Sequence, residues 1–259
     1  MKEKTGNTNH EPRKRISGFR FYEELNDFLP PEYRKKQFEY EFTGTPSIKN
    51  TIEAIGIPHA EVDLIVINGN SVDFDFLIRG GEFVSVYPVF ENFDISPVVR
   101  LRPKPLRKTK FIVDVNLGKL APKLRLLGFD TLFRNDYEDD EIVRIAGTEK
   151  RIILTRDKGL LKHTEVTHGY WLRNDNPKMQ LREVVNRLQL NNCFQPFTRC
   201  SNCNNFLETV NKNVIKTCVH DDTFGRYDLF WKCKGCGNVY WRGSHYDKIC
   251  EWVDELRNI

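Results

Sequence analysis

No run of about 18 consecutive apolar residues occurs, so no membrane-spanning helix is expected. Residues 1–15, MKEKTGNTNHEPRKR, lack the apolar centre of a secretory signal and read as a polar, disordered tail. The seven cysteines are an odd number, and four of them fall in two CxxC pairs. Without a secretion signal, that usage argues against a disulfide framework and for metal binding in a reducing compartment, with the cytoplasm as the expected location. Nor is there a cysteine, or a serine paired with a histidine, to act as nucleophile in the central part of the chain. His163 and His168 stand there, but a lone histidine near a helix end is read as structural.

What is present suggests two or three compact domains within 259 residues. The net charge of +4 conceals an asymmetry: residues 1–15 carry +3, residues 16–99 carry −8 and residues 100–259 carry +9. The acidic part repels a polyanion, so any nucleic acid is expected on the C-terminal two-thirds.

Residues 16–99 read as strands around one helix. DLIVI and SVDFDFLI flank Asn68-Gly69-Asn70, a hairpin signal because Asn-Gly tolerates positive φ. EFVSVYPVF is a further strand, and Ile48, Ile52 and Ile55 mark a helix that stops at Gly56. With GFRFYEEL and KQFEYEF as an opening hairpin, the order is ββαβ…β. SIKNTIEAIGIPHAEVDLIVINGNSV and GGEFVSVYPVF resemble the β-grasp sulfur carriers (the ThiS and MoaD group) and ubiquitin. Those carriers act through a free C-terminal Gly-Gly. Here the only Gly-Gly, Gly80-Gly81, is internal, so a structural role or a protein partner is expected rather than sulfur transfer.

Residues 100–110, RLRPKPLRKTK, hold six basic residues, no acidic ones and two prolines, and read as a basic linker. Beyond it the pattern becomes βα. FIVD is a strand, and Leu117, Leu120, Leu124 and Leu127 mark a helix stopped by Gly128. DTLF, RIILT and GYWLR are further strands. EDDEIVRIAGTEK, KGLLKHTEV and a segment with Leu181, Val184, Val185 and Leu188 are helices. Repeated βα units predict a three-layer domain with a parallel sheet over residues 111–192.

In such a sheet, ligands bind beyond the carboxyl ends of the strands. Four βα units each place acid there: Asp114, Asp139 with Asp140, Asp157 and Asp175. Taken singly, Asp139 and Asp140 also suit a helix N-terminus, Asp157 a cap and Asp175 a turn. Asp114 is different, because a carboxylate directly after Phe-Ile-Val is costly to desolvate without compensation. Clustered carboxylates repel, and a divalent cation such as Mg²⁺ or Mn²⁺ relieves the repulsion. Such a centre suits phosphodiester hydrolysis. A second aspartate two positions after Asp114 is lacking, since Asn116 stands there, which disfavours phosphotransfer through an aspartyl pair. DVNLGKLA has one glycine, too few for a dinucleotide turn.

From about residue 193 the chain changes again. Cys200-x2-Cys203 and Cys233-x2-Cys236, 29 residues apart, suit a closed four-thiolate Zn²⁺ site of structural type. Phe230, Trp231, Tyr240, Trp241, Arg242, His245 and Tyr246 surround it. The aromatics fit either a small core or base stacking, and both readings stay open. WRGSHY, with Arg242 and His245, is the more exposed-looking part and the candidate substrate contact, together with Thr155, Arg156 and Lys158.

FIVDVNLGKLAPKLRLLGFDTLF, DDEIVRIA, RIILTRDKGLL, MQLREVV, RCSNC and FWKCKGCGNVYWRGSHYDKI, in this order, resemble the Mut-seven C-terminal ribonuclease family. The resemblance spans residues 111–247, with the β-grasp part ahead of it. It implies a ubiquitin-like domain at 16–99, a PIN-like nuclease domain at 111–192, and a zinc ribbon with a C-terminal segment at 193–259. It further implies Mg²⁺- or Mn²⁺-dependent cleavage of RNA. Asp114, Asp139 and Asp157 match the first three acids, Asp175 a variable fourth, and Asn116 the position supporting the first. The competing expectation is an RNA-binding or scaffolding protein whose nuclease domain is inert.

Overall fold

The computed structural model describes residues 14–88 and 109–257, without the side chains of Ser244 and His245. The expected tail up to residue 13, the linker residues 100–108 and the His245 side chain therefore lie outside the described residues. The chain divides into two compact units, Met1–Lys104 and Pro105–Ile259.

The first unit contains β1 (Lys14–Phe21), β2 (Phe38–Thr43), α1 (Ile48–Ile55), β3 (Val62–Ile67), β4 (Asn70–Val72) and β5 (Phe83–Pro88). Its sheet order is β2-β1-β5-β3-β4, with β1 parallel to β5 and antiparallel to β2, which is the β-grasp arrangement. Helix α1 starts where the Ser47 hydroxyl accepts from the Asn50 N–H at 3.2 Å, and ends at Gly56 with φ of 120°. It sets Ile48 and Ile52 into the core beside Phe19, Phe21 and Val86. Each such side chain contributes about 1.5–3 kcal/mol by burial. Asn68 and Gly69, at φ of 49° and 86°, make the two-residue turn between β3 and β4.

SVDFDFLI is strand only as far as Val72. Asp73 turns the chain by accepting the Asp75 N–H at 3.1 Å. The carbonyls of Phe74 and Phe76 then take the first N–H groups of α1 instead of pairing in the sheet.

The second unit is built on β6 (Lys110–Val113), β7 (Asp130–Leu132), β8 (Ile152–Thr155) and β9 (Gly169–Trp171), all parallel in the order β7-β6-β8-β9. The chain steps from β6 outward to β7, then crosses back to β8. The topological switch point therefore lies between β6 and β8, where ligands of such sheets bind. Helices α2 (Ala121–Leu126), α3 (Asp139–Glu149) and α4 (Pro177–Arg187) follow β6, β7 and β9. Two expected helices are shorter than their apolar pattern. The leucine run divides into a 3₁₀ turn, Val115–Leu117, and α2, while KGLLKHTEV yields only a 3₁₀ turn, Leu160–Lys162. The four leucines are nevertheless buried together, so burial follows the pattern and helicity does not.

The remaining strands, β10 (Leu207–Val210), β11 (Phe230–Cys233) and β12 (Val239–Trp241), form an antiparallel sheet, with α5 (Asp221–Arg226) between the first two. The chain then forms α6 (Ser244–Arg257), which the sequence reading passed over. Ile249, Trp252, Val253 and Leu256 recur at helical spacing and pack into the hydrophobic core of the parallel-sheet layer. By packing, the C-terminal helix thus belongs with that layer. No helix among the described residues is long and apolar enough to cross a membrane.

Candidate functional site

Asp114 follows β6 and is 3% exposed. Its burial is compensated from the neighbouring strand. The Asp114 N–H donates to the Leu154 carbonyl at 3.0 Å, and the Thr155 hydroxyl donates to Asp114 Oδ2 at 2.7 Å. The Asp157 N–H then donates to Thr155 Oγ1 at 2.8 Å, and the Gly159 N–H donates to Asp157 Oδ1 at 2.7 Å. A short relay thus runs from Asp114 through Thr155 to Asp157 across the switch point, fixing one oxygen of each carboxylate.

Asp139 opens α3 on the same edge. Partial burial pushes its carboxyl above the ordinary value, and the charges of Asp114 and Asp157 push it further, against an opposing effect of His163. The three acids therefore share one electrostatic neighbourhood. Among the described residues, however, they do not form a set whose donor oxygens all lie within 4.8 Å of one another. The donors are hard oxygens, the type a Mg²⁺- or Mn²⁺-class ion takes. Asp140 and Asn116 are exposed beside Asp139 and Asp114.

Asp175 stands apart: its carboxylate is 83% exposed and ion-paired with Arg156. The acid that organises this end of the sheet is Glu183 of α4, which sequence reasoning missed. Its carboxylate accepts from the Arg173 N–H at 2.9 Å, the Asn174 side-chain amide at 2.6 Å and the Tyr170 hydroxyl at 3.1 Å. Trp171 was also missed. It sits in register with Thr155 and donates its indole N–H to the Arg156 carbonyl at 3.1 Å. The Lys158 ammonium lies 4.2 Å from the Trp171 ring centroid and the Arg173 guanidinium 5.1 Å from it. Cations thus flank the acidic edge.

The four predicted cysteines converge. Among the described residues, Cys200, Cys203, Cys233 and Cys236 form the group able to hold a metal ion, with their sulfurs mutually within 4.8 Å. Cys200 Sγ lies 3.6 Å from Cys236 Sγ, and Cys203 Sγ lies 3.3 Å from Cys233 Sγ. Metal–sulfur bonds of about 2.3 Å in a tetrahedron require sulfurs about 3.8 Å apart, so the set fits a closed four-thiolate site. The Gly235 N–H donates to Cys233 Sγ at 3.3 Å, as suits a thiolate acceptor. Burial resists ionisation of both Cys203 and Cys233. Hydrogen bonds from Asn205 and Cys233 nonetheless draw Cys203 down to about 6, while Cys233 is pushed up to about 12. Four thiolates this close need a cation to coexist.

This cysteine sheet is locked to the edge strand of the parallel sheet. Arg125 of α2, 5% exposed, donates to the Thr131 carbonyl at 2.9 Å and to the Asn202 carbonyl, inside the first CxxC loop, at 2.6 Å. Asn204, at φ of 69°, accepts the Thr131 N–H at 3.0 Å and donates to Asp130 at 2.8 Å. At Gly128 a Cβ would fall 2.3 Å from the Gln195 carbonyl oxygen, so only glycine permits this approach. In the cysteine sheet Phe230 is fully buried, Trp231 and Tyr240 are half-buried and Trp241 is exposed, and Tyr246 of α6 beside it is half-buried. Exposed Arg242 places its guanidinium 5.5 Å from the Tyr246 ring centroid.

No curated protein and no solved structure matches the chain. Two families do. Residues 14–94 match the Mut7-C ubiquitin family, and residues 109–253, more than half of the chain, match the Mut7-C RNAse domain family. A β-grasp unit precedes a parallel sheet with a buried strand-end aspartate, and a four-cysteine cluster is docked on that sheet's edge. The chain belongs to the Mut7-C RNAse domain family and carries a Mut7-C ubiquitin domain ahead of it.

Proposed function

We propose that the chain is a PIN-like, metal-dependent ribonuclease that hydrolyses RNA phosphodiester bonds at the acidic edge of the parallel sheet. The observation that carries this reading is the Asp114–Thr155–Asp157 relay at the switch point, within a chain of the Mut7-C RNAse domain family. Asp114, Asp139 and Asp157 would hold Mg²⁺ or Mn²⁺, which supplies polarisation of the phosphoryl oxygen and an acidified water.

The protein's own groups do the positioning. Thr155 fixes Asp114 by Oδ2, and Oδ1 is the oxygen that would take the ion. Gly159 likewise fixes Asp157 by Oδ1 and leaves Oδ2. Carboxylates held this way need little reorganisation when an ion arrives. Arg156 and Lys158, either side of Asp157, take substrate phosphate, and Asn116 and Asp140 border the same edge. Asp175 acts on Arg156 and orients it. Arg242 and His245 extend the RNA contact on the cysteine sheet, whose four thiolates would hold a structural Zn²⁺. The acidic β-grasp unit is the place for a protein partner, and the cytoplasm is the proposed compartment.

A second reading is favoured by one observation: the three carboxylates do not close to within 4.8 Å of one another. On that reading the domain binds RNA without cutting it. Labelled RNA and single-stranded DNA incubated with Mg²⁺ or Mn²⁺ decide between the two. The nuclease reading expects RNA cleavage by the full chain, lost in Asp114→Asn with fold and zinc content retained. Equal cleavage by parent and variant would mark a contaminant and remove the claim.

A further inference from the structure

A cavity of about 740 Å³ lies between the cysteine sheet and helices α2 and α6, separate from the acids. Its wall includes three of the chain's four tryptophans, Trp231, Trp241 and Trp252. Lys123, Lys178, Arg199 and Lys248 also line it, and no aspartate or glutamate does among the described residues. Arg199 is engaged by Asp130 and the Asn204 carbonyl, and Lys123 lies over the Trp252 ring, so Lys178 and Lys248 are the cations offered to a ligand.

Three of the rings, Phe197, Trp231 and Tyr246, are set near-parallel. Phe197 and Tyr246 stack with centroids 4.2 Å apart and planes 22° apart, and Trp231 lies within 6° of the Tyr246 plane at 5.8 Å. Phe197 reaches this position at φ of 61°, a left-handed conformation unfavourable for a bulky aromatic residue and found where surrounding structure imposes it. Flat aromatic faces with cations around them match the chemistry of an unpaired base and its phosphate.

Two of the lysines in the wall stand on the acid-bearing side of the fold. Lys123 and Lys178 belong to the first turns of α2 and α4. Five residues separate α4 from β9, and α2 follows β6 after a 3₁₀ turn, so both start after the chain has left the carboxyl ends of those strands, the end that bears Asp114.

We infer that this cavity is a binding site for an unpaired nucleotide of single-stranded RNA, its base stacked on the aromatic wall and its phosphate held by Lys178 and Lys248. The inference rests on the ribonuclease reading for the identity of the polymer, but binding and cleavage separate experimentally.

The test uses the full zinc-loaded chain carrying Asp114→Asn, a 5′-labelled single-stranded RNA of mixed sequence, and no added Mg²⁺ or Mn²⁺. Fluorescence anisotropy is read across a salt series. Reversing Lys178 and Lys248, both exposed and outside the core, to Glu is expected to weaken RNA binding about tenfold or more. It should also reduce the salt slope by about 1.4, two phosphate contacts' worth. Trp241→Ala, at an exposed ring, should weaken binding several-fold and remove part of the tryptophan quenching that RNA produces. Heparin, a polyanion without bases, should quench little. Unchanged RNA affinity in both variants, or equal quenching by heparin, overturns the site. RNA binding that needs the cavity, with no cleavage by the Asp114 parent under any metal, sinks only the nuclease reading. Cleavage with cavity variants binding as the parent does sinks only this one.

Discussion

The Thr155 hydroxyl donates to Oδ2 of Asp114 across 2.7 Å, tying together the carboxyl ends of two adjacent parallel strands. Thr155→Val keeps the shape and removes the donor, leaving a carboxylate that is only 3% exposed short of a partner. Stability should fall by about 1–3 kcal/mol. On the nuclease reading kcat should fall more than KM changes, and Thr155→Ser should recover both. Denaturant titration with parallel kinetics checks this; a Val variant as stable and active as the parent would remove the relay from the account.

Asp175 and Asp114 should behave unlike one another. The Asp175–Arg156 pair is largely solvated, and such pairs contribute about 0–1 kcal/mol. Asp175→Asn should therefore leave stability almost unchanged and lower RNA cleavage less than about tenfold, whereas Asp114→Asn should lower it by a factor on the order of a thousand. Matching losses in the two variants would put Asp175 among the metal-holding acids.

Asp130 makes the second unit acid-sensitive. Partial burial pushes its carboxyl up, but hydrogen bonds from Arg151 and Asn204 and the charges of Arg151 and Arg199 outweigh burial and hold it below the ordinary 3.8. A depressed folded value stabilises the protein above the unfolded value, and that contribution disappears as pH falls through the folded one. Asp130→Asn should cost about 3 kcal/mol near neutrality, because it strands Arg151, 5% exposed, with one charged partner fewer. The gap should narrow below about pH 4. All four tryptophans lie in this unit, so their fluorescence reports its unfolding at each pH.

On the reading that the four cysteines hold Zn²⁺, its removal should reach beyond them. Arg125 and Asn204 bind the first CxxC loop to β7, and α6 returns from the cysteine sheet into the core of the parallel layer. Stripping the metal, or Cys233→Ser, should lower the melting midpoint of the second unit by about 10 °C or more. Differential scanning calorimetry with metal analysis reads this directly. An unchanged midpoint after complete metal loss would mean that the ribbon does not support the sheet.

Much of this was legible because chain periodicity and burial coincide. FIVD and RIILT are the continuous apolar runs of strands buried on both faces, Leu181, Val184 and Val185 repeat at helical spacing, and the CxxC spacing encodes the sulfur cluster without reference to the rest. Other features depend on partners distant in sequence. Glu183 reads as one more helical acid until Tyr170, Arg173 and Asn174 are seen to bond it. Arg125 reads as a surface base until Asn202 receives it. The strand SVDFDFLI failed at Asp73 because a local side-chain turn captured the backbone before the sheet did. Helix α6 was readable from Ile249, Trp252, Val253 and Leu256, and was obscured by the aromatic, basic run just before it.

The central claim is that Asp114, Asp139 and Asp157 hold a divalent ion at the switch point. Its most direct test is anomalous diffraction from crystals of the full chain soaked in Mn²⁺. The account predicts a manganese peak coordinated by Asp114 and Asp157, with Asp139 drawn in. A peak elsewhere, or none at a Mn²⁺ concentration that supports RNA cleavage, would contradict it.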